Sequence, residues 1–219
     1  SVIVGVGAKS VAKDPANDGV NVTLADGAVI SGDTLLVATG RSSDLSAIDT
    51  GVLGIDPKAH RGLPTNDYLE LINDSGSIIN GVYAVGDVAG KGAFTHVAVT
   101  QGRMVADQIL SKPTAAWNTR QVGHVTFTDP EVGAVGLTED AARKAGINVV
   151  TASYPMESTT RGWIHGPGNK GTFKLVVDAD KKIIVGGTVV GPHAGEPLAG
   201  LTVAVAGKVP VQKRIETGR

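Results

Sequence analysis

The chain's 219 residues suffice for one large or two small domains, and 20 basic against 21 acidic side chains leave a net charge of −1. So even a balance provides no field to gather nucleic acid, and no run approaches the roughly 20 apolar residues that span a bilayer. Cysteine is absent while glycine numbers 30, which excludes disulfides, thiolate metal sites and cysteine nucleophiles within these residues and favours tight turns, as in ligand-binding α/β proteins.

The opening residues lack a basic region followed by a signal core, so a soluble, cytoplasmic protein is expected. Ser1-Val2-Ile3-Val4-Gly5-Val6-Gly7-Ala8-Lys9-Ser10 brings an apolar run to Gly-x-Gly. The third glycine of a dinucleotide fingerprint is missing, however, and residues 13–18 are turn-like rather than helical, so an ordinary strand and turn are expected. Val20, Val22 and Leu24 then alternate with Asn21, Thr23 and Ala25 before Asp26-Gly27, which predicts a hairpin with a type I′ turn. Thr34-Leu35-Leu36-Val37-Ala38-Thr39-Gly40 reads as a strand buried on both faces that delivers a loop to a ligand crevice.

Residues 42–80 are mostly loop in character. Gly81-Val82-Tyr83-Ala84-Val85-Gly86-Asp87 then predicts a second buried strand with an acid at its end. Such an acid can accept hydrogen bonds from a ribityl or ribose hydroxyl, or it can simply cap a turn at residues 88–90. Residues 95–110 have helical character, with Val97, Val105 and Ile109 toward the core. The N-terminal amides of that helix favour negative charge on the same ligand. Lys112-Pro113 ends the helix, and residues 114–120 form a candidate domain boundary.

Beyond it, Thr138-Glu139-Asp140 predicts a helix with a hydroxyl cap that Gly146 can end in the left-handed conformation. Strands are predicted at residues 149–153, 171–178 and 183–190. Glu196-Pro197 opens an apolar helix through Leu198, Leu201 and Val205. His96, His124, His165 and His193 show no helical metal-pair spacing and no local carboxylate of a triad, so surface or turn roles are expected and neither a metal nor a catalytic residue is assigned. Arg161-Gly162-Trp163-Ile164-His165 reads as a packed indole with an arginine on an interface loop.

Leu35-Leu36-Val37-Ala38-Thr39-Gly40-Arg41, then Val82-Tyr83-Ala84-Val85-Gly86-Asp87-Val88, then Ala93-Phe94-Thr95-His96 resemble the central and flavin motifs of the class I pyridine nucleotide-disulfide oxidoreductases. That family includes dihydrolipoamide dehydrogenase, glutathione reductase and mercuric reductase. Phe127-Thr128-Asp129-Pro130-Glu131-Val132-Gly133-Ala134-Val135-Gly136-Leu137-Thr138-Glu139 is similar to the opening of its dimerisation domain.

The resemblance implies an α/β fold: the end of a nicotinamide-nucleotide domain over residues 1–41, a returning segment of the FAD domain over 42–118, and an α+β dimerisation domain over 119–219. It implies that Gly40 approaches the nicotinamide nucleotide, that Asp87 meets the ribityl chain, and that Ala93, Phe94, Thr95 and His96 lie against the isoalloxazine. The implied parent is a homodimer that passes electrons from NAD(P)H through FAD to a disulfide or other acceptor.

A Cys pair and the family's His-Pro-Thr phrase are missing from these residues. The chain therefore resembles a carboxy-terminal part, expected to retain neither FAD nor NAD(P) and to be inactive by itself. A stand-alone dimerisation or interaction module is the alternative, and an NAD-binding protein based on residues 1–10 is a third.

Overall fold

A computed structural model describes residues 2–211, and the chain divides into two compact units, Ser1–Ser42 and Ser43–Arg219. Unit one is an antiparallel sheet of β1 (Ala8–Lys13), β2 (Val20–Leu24) and β3 (Val29–Gly32), in that order. β1 follows directly on the Gly-x-Gly run and pairs antiparallel with β2, whereas residues 2–7, read as strand and turn, contain no strand and leave Val2 and Val4 exposed.

The β2–β3 hairpin forms where the alternation predicts it, with a different turn. Leu24 N–H donates to the Ala28 carbonyl at 2.8 Å and Gly27 N–H to Leu24 at 3.0 Å. Gly27 alone in the loop has positive φ, +90°. This is a three-residue loop closed by a left-handed glycine, whereas a type I′ turn needs positive φ at both central residues. Asp26 contributes through its side chain, which accepts from Ala28 N–H at 3.0 Å.

The predicted buried strand over 34–40 is corrected outright. These residues take no strand pairing, and Leu36 and Val37 are 85% and 69% exposed. A strand buried on both faces needs sheet neighbours and covering layers, and among the described residues none is supplied.

Unit two begins with loop and a short hairpin, β4 (Glu70–Ile72) antiparallel to β5 (Ile78–Tyr83). The second strand is thus centred a few residues earlier than predicted, belongs to a two-stranded sheet, and ends well before Asp87. Its core is local: Leu45, Ile55, Leu63, Leu71, Ala84 and Ala89 cluster together. α1 (Thr95–Ile109) follows a 3-10 turn at Gly86–Ala89. Its buried stripe is Val97, Gln101 and Val105, spaced four apart on one helical face. Ile109 is 65% exposed, because the stripe ends with the last turn of the helix.

The remainder is a five-stranded antiparallel sheet in the order β6 (His124–Thr126), β7 (Glu131–Gly136), β10 (Ile183–Gly191), β9 (Thr172–Asp178) and β8 (Val149–Pro155). α2 (Glu139–Lys144) and α4 (Gly195–Ala206) pack on opposite faces. Val135 pairs with Gly187 and Val176 with Gly186. Paired residues share a face and consecutive ones alternate, so Val135 and Val176 point in opposite directions. Val135 accordingly clusters with Leu198 and Val205 of α4, and Val176 with Ala142 of α2.

Local signals explain the helix ends. The Thr138 hydroxyl accepts from Ala141 N–H at 3.2 Å and Gly146 adopts φ +75° just past the C-terminus of α2, as predicted. Pro197 lies in the first turn of α4, where its missing N–H is tolerated. Residues 160–165, read as loop, form the short helix α3 (Thr160–His165), capped by Thr159, and Trp163 is 79% exposed instead of packed. A Cβ on Gly162 would collide with the Met156 carbonyl, so the Gly162 side of α3 lies directly on the preceding turn. Among the described residues, no helix is long and apolar enough to cross a membrane.

Candidate functional site

The Gly86–Asp87 turn is fixed from several sides. Gly86 has φ +75°, and a Cβ there would lie 3.2 Å from that of Ala98, so the turn rests directly on α1. Gly86 N–H donates to Gln101 Oε1 at 2.7 Å. Beyond it, the Asp87 carbonyl accepts from Gly90 N–H at 3.0 Å and the Val88 carbonyl from Leu63 N–H at 2.7 Å. Ser43 Oγ also donates to the Asp87 carbonyl, at 3.3 Å. Asp87 itself is exposed at the outer side of this turn.

Ala93, Phe94, Thr95 and His96 lead into α1 and are all exposed. Phe94 is extended and occupies the cap position without a side-chain hydrogen bond to the helix. The first amides of α1 therefore lack a capping side-chain acceptor and present a positive field to whatever lies before them. The Phe94 ring stacks between two imidazoles, 5.5 Å from His96 and 5.8 Å from His124, which links the start of α1 to β6. Because the turn rests on Ala98, unit two brings Asp87 and residues 93–96 to the same end of α1. Gly40 belongs to the other unit, where it is exposed with φ +92° and has no atom within 4 Å of a hypothetical Cβ.

A separate cleft lies elsewhere. It encloses about 840 Å³ and is bordered by His96, Thr100 and Arg103 of α1, by Trp117, and by Leu198 and Thr202 of α4. Of the residues singled out as a cofactor site, only His96 borders it. His124, His165 and His193 are exposed, and no group of three or more His, Cys, Asp or Glu able to hold a metal occurs among the described residues.

Two polar arrangements lie outside the motifs read from the sequence. His60 Nε2 is 2.7 Å from Asp74 Oδ1, whose other oxygen accepts from Asp56 N–H at 2.8 Å. The Asp56 amide, with His60 second, holds the Asp74 carboxyl below its ordinary value. Fourteen residues separate the pair, so no spacing signal exists. Gln101 is different: a glutamine four residues after Val97 and four before Val105 interrupts an apolar stripe, and that interruption is visible in the sequence.

Comparison with known proteins accounts for most of the chain. Residues 1–102 match the family model described as pyridine nucleotide-disulphide oxidoreductase, and residues 122–217 match the dimerisation domain of the same family. Dihydrolipoyl dehydrogenase of Thermus scotoductus is 35% identical over 207 residues, covering 92% of this chain and 43% of that protein. Mercuric reductase of Staphylococcus aureus is 33% identical over 177 residues, covering 81% of this chain and 31% of that protein. The crystal structure of LpdA from Mycobacterium tuberculosis superposes with a TM-score of 0.78 at 26% identity, covering 94% of this chain and 43% of that one. The chain thus spans less than half the length of these relatives. It belongs to the pyridine nucleotide-disulphide oxidoreductases, with an α/β segment followed by the family's dimerisation domain.

Proposed function

We propose that this chain contributes one wall of a flavin site and the dimer-forming domain to an FAD-dependent pyridine-nucleotide oxidoreductase. FAD, when bound, supplies the redox chemistry, taking electrons from NAD(P)H and passing them to a disulfide or other acceptor. The observation that carries the reading is the docking of the Gly86–Asp87 turn on the first turns of α1. An ionised Asp87 would accept from a ribityl hydroxyl, and the amides that open α1 would stabilise negative charge on the isoalloxazine edge near Ala93, Phe94, Thr95 and His96. Gly40, with no side chain and open space around it, would let the backbone approach the nicotinamide nucleotide. Domain limits at 1–41, 42–118 and 119–219, a homodimer through the last of these, and a cytoplasmic location belong to the same reading.

These residues suit the flavin but make only a partial site. A dinucleotide is held mainly at its pyrophosphate by a Gly-rich turn before a helix, and the Gly-x-Gly run here leads into β1 instead. Two or three contacts do not offset the roughly 4–15 kcal/mol lost in immobilising a ligand. The chain alone should therefore be colourless after dialysis against FAD and should not oxidise NADH or NADPH with an artificial acceptor. Combined with a flavin-binding segment from a family member, it should contribute to coloured, active protein. Stoichiometric yellow protein with turnover from the chain alone would show that these residues contain a complete site.

A further inference from the structure

Gln101 is fully buried in α1, between Val97 and Val105. Its Oε1 accepts from Gly86 N–H at 2.7 Å, while its Nε2 has no partner. The assignment of the two amide atoms is forced, because the backbone N–H can only donate and must face the oxygen. A buried donor without a partner is costly, so an apolar residue would suit this stripe better unless the oxygen had a use. That use is the amide of the residue before Asp87. The turn also lies close on α1 at Gly86, where an added Cβ would come within 3.2 Å of that of Ala98.

We propose that Gln101 is a positioning residue: through the single hydrogen bond to Gly86 it sets the turn that presents Asp87, and only its oxygen is needed. The role in cofactor binding rests on the flavin reading above, whereas the role in holding Asp87 does not. Two consequences separate oxygen from nitrogen. Gln101→Met keeps length and bulk but removes the acceptor. Gln101→Glu keeps the acceptor and replaces the unpartnered amide nitrogen with a second carboxyl oxygen, which carries an O–H only when the group is neutral.

The test is performed on the whole 219-residue chain by NMR. In Gln101→Met the Gly86 amide should exchange about tenfold faster, as expected for loss of one buried hydrogen bond. The Asp87 resonances should shift as well, while amides in the second half of α1 stay protected. Gln101→Glu should restore wild-type protection at Gly86. A Gly86 amide that stays protected in Gln101→Met, or an unprotected one in folded Gln101→Glu, overturns the proposal. The glutamate variant also decides the matter if the methionine variant fails to fold. Addition of FAD to the chain combined with a flavin-binding segment from a family member separates the two readings. Asp87 shifts induced by FAD in wild type and Gln101→Glu, but diminished in Gln101→Met, support both. If FAD shifts nothing in wild type while Gly86 is deprotected in Gln101→Met, the positioning role is supported and the flavin reading fails for this chain.

Discussion

Glu131 Oε2, at the start of β7, accepts a hydrogen bond from the backbone N–H of Gly195 at 3.2 Å. The strand therefore caps the helix: a carboxylate 64 positions earlier in the chain meets the first turn of α4, where positive partial charge and unsatisfied amides coincide. α4 in turn covers one face of the sheet through Leu198 and Val205.

Removing that cap should loosen α4. Glu131→Ala is expected to cost about 1 kcal/mol and to lower Tm by about 2–4 °C in a chain of this size. Glu131→Gln, which keeps an acceptor but not the charge, should lose less. Thermal unfolding followed by circular dichroism checks the order, and an unchanged Tm in the alanine variant would show that the contact is energetically silent.

A pH dependence follows from Glu139. Lys174 at 2.8 Å, followed by Arg143 at 2.9 Å, donates to its carboxylate and holds the folded carboxyl below the ordinary value of 4.5. The depressed value means that the stabilisation is complete well above pH 4.5 and is lost as pH falls below it through the folded value. Lys174→Met should therefore be less stable than wild type at neutral pH, and the gap should close in acid and in high salt. Urea unfolding across that range measures it; a gap independent of pH would assign the effect to packing of the lysine stem.

Gly136 is expected to tolerate no side chain. Its φ is +76°, and a Cβ would meet the Val185 carbonyl within the central pairing of the sheet. Gly136→Ala combines left-handed strain with a backbone clash and should cost about 2–4 kcal/mol. Chemical denaturation of the variant checks this.

For the flavin-loaded reductase, Asp87→Ala should weaken FAD retention about ten- to hundredfold, the value of one charge-assisted hydrogen bond. Titration of the apo-protein with FAD measures it. Unchanged affinity would leave Asp87 as a turn residue whose carbonyl closes on Gly90.

Sedimentation should find the chain as a dimer at concentrations on the order of tens of micromolar. Phe127, Tyr154, Trp163 and Val203 are exposed on the dimerisation domain, and a two-fold dimer would cover the same surface twice. A monomer at that concentration would remove the homodimer from the proposed function.

What could be read in the sequence depended on how locally each feature is determined. Thr138 and Gly146 bracket α2 because caps act within one helical turn, and the alternation of residues 20–24 sufficed for β2. Residues 34–40 have the composition of a buried strand, yet composition cannot supply the neighbours that bury it, and Leu36 is left exposed. The turn before α1 was located from Gly86-Asp87, but its clamp was not. The hydrophobic pattern directs attention to Val97 and Val105 and away from the glutamine between them. The phrases at residues 35–41, 82–88, 93–96 and 127–139 carry the family resemblance, whereas the partnership of His60 with Asp74 depends on a loop path that no local rule fixes.

The order of strands in the five-stranded sheet has a consequence for synthesis. β6 with β7, and β8 with β9, are two separate antiparallel pairs, and β10 alone joins them by pairing with β7 on one side and β9 on the other. The strand at the centre is thus the last of the five to leave the ribosome. Until residue 191 has emerged, both hairpins wait with an open edge, able to pair with the wrong partner or with another nascent chain. A pause in translation that falls before β10 should therefore favour aggregation, and one that falls after α4 should not.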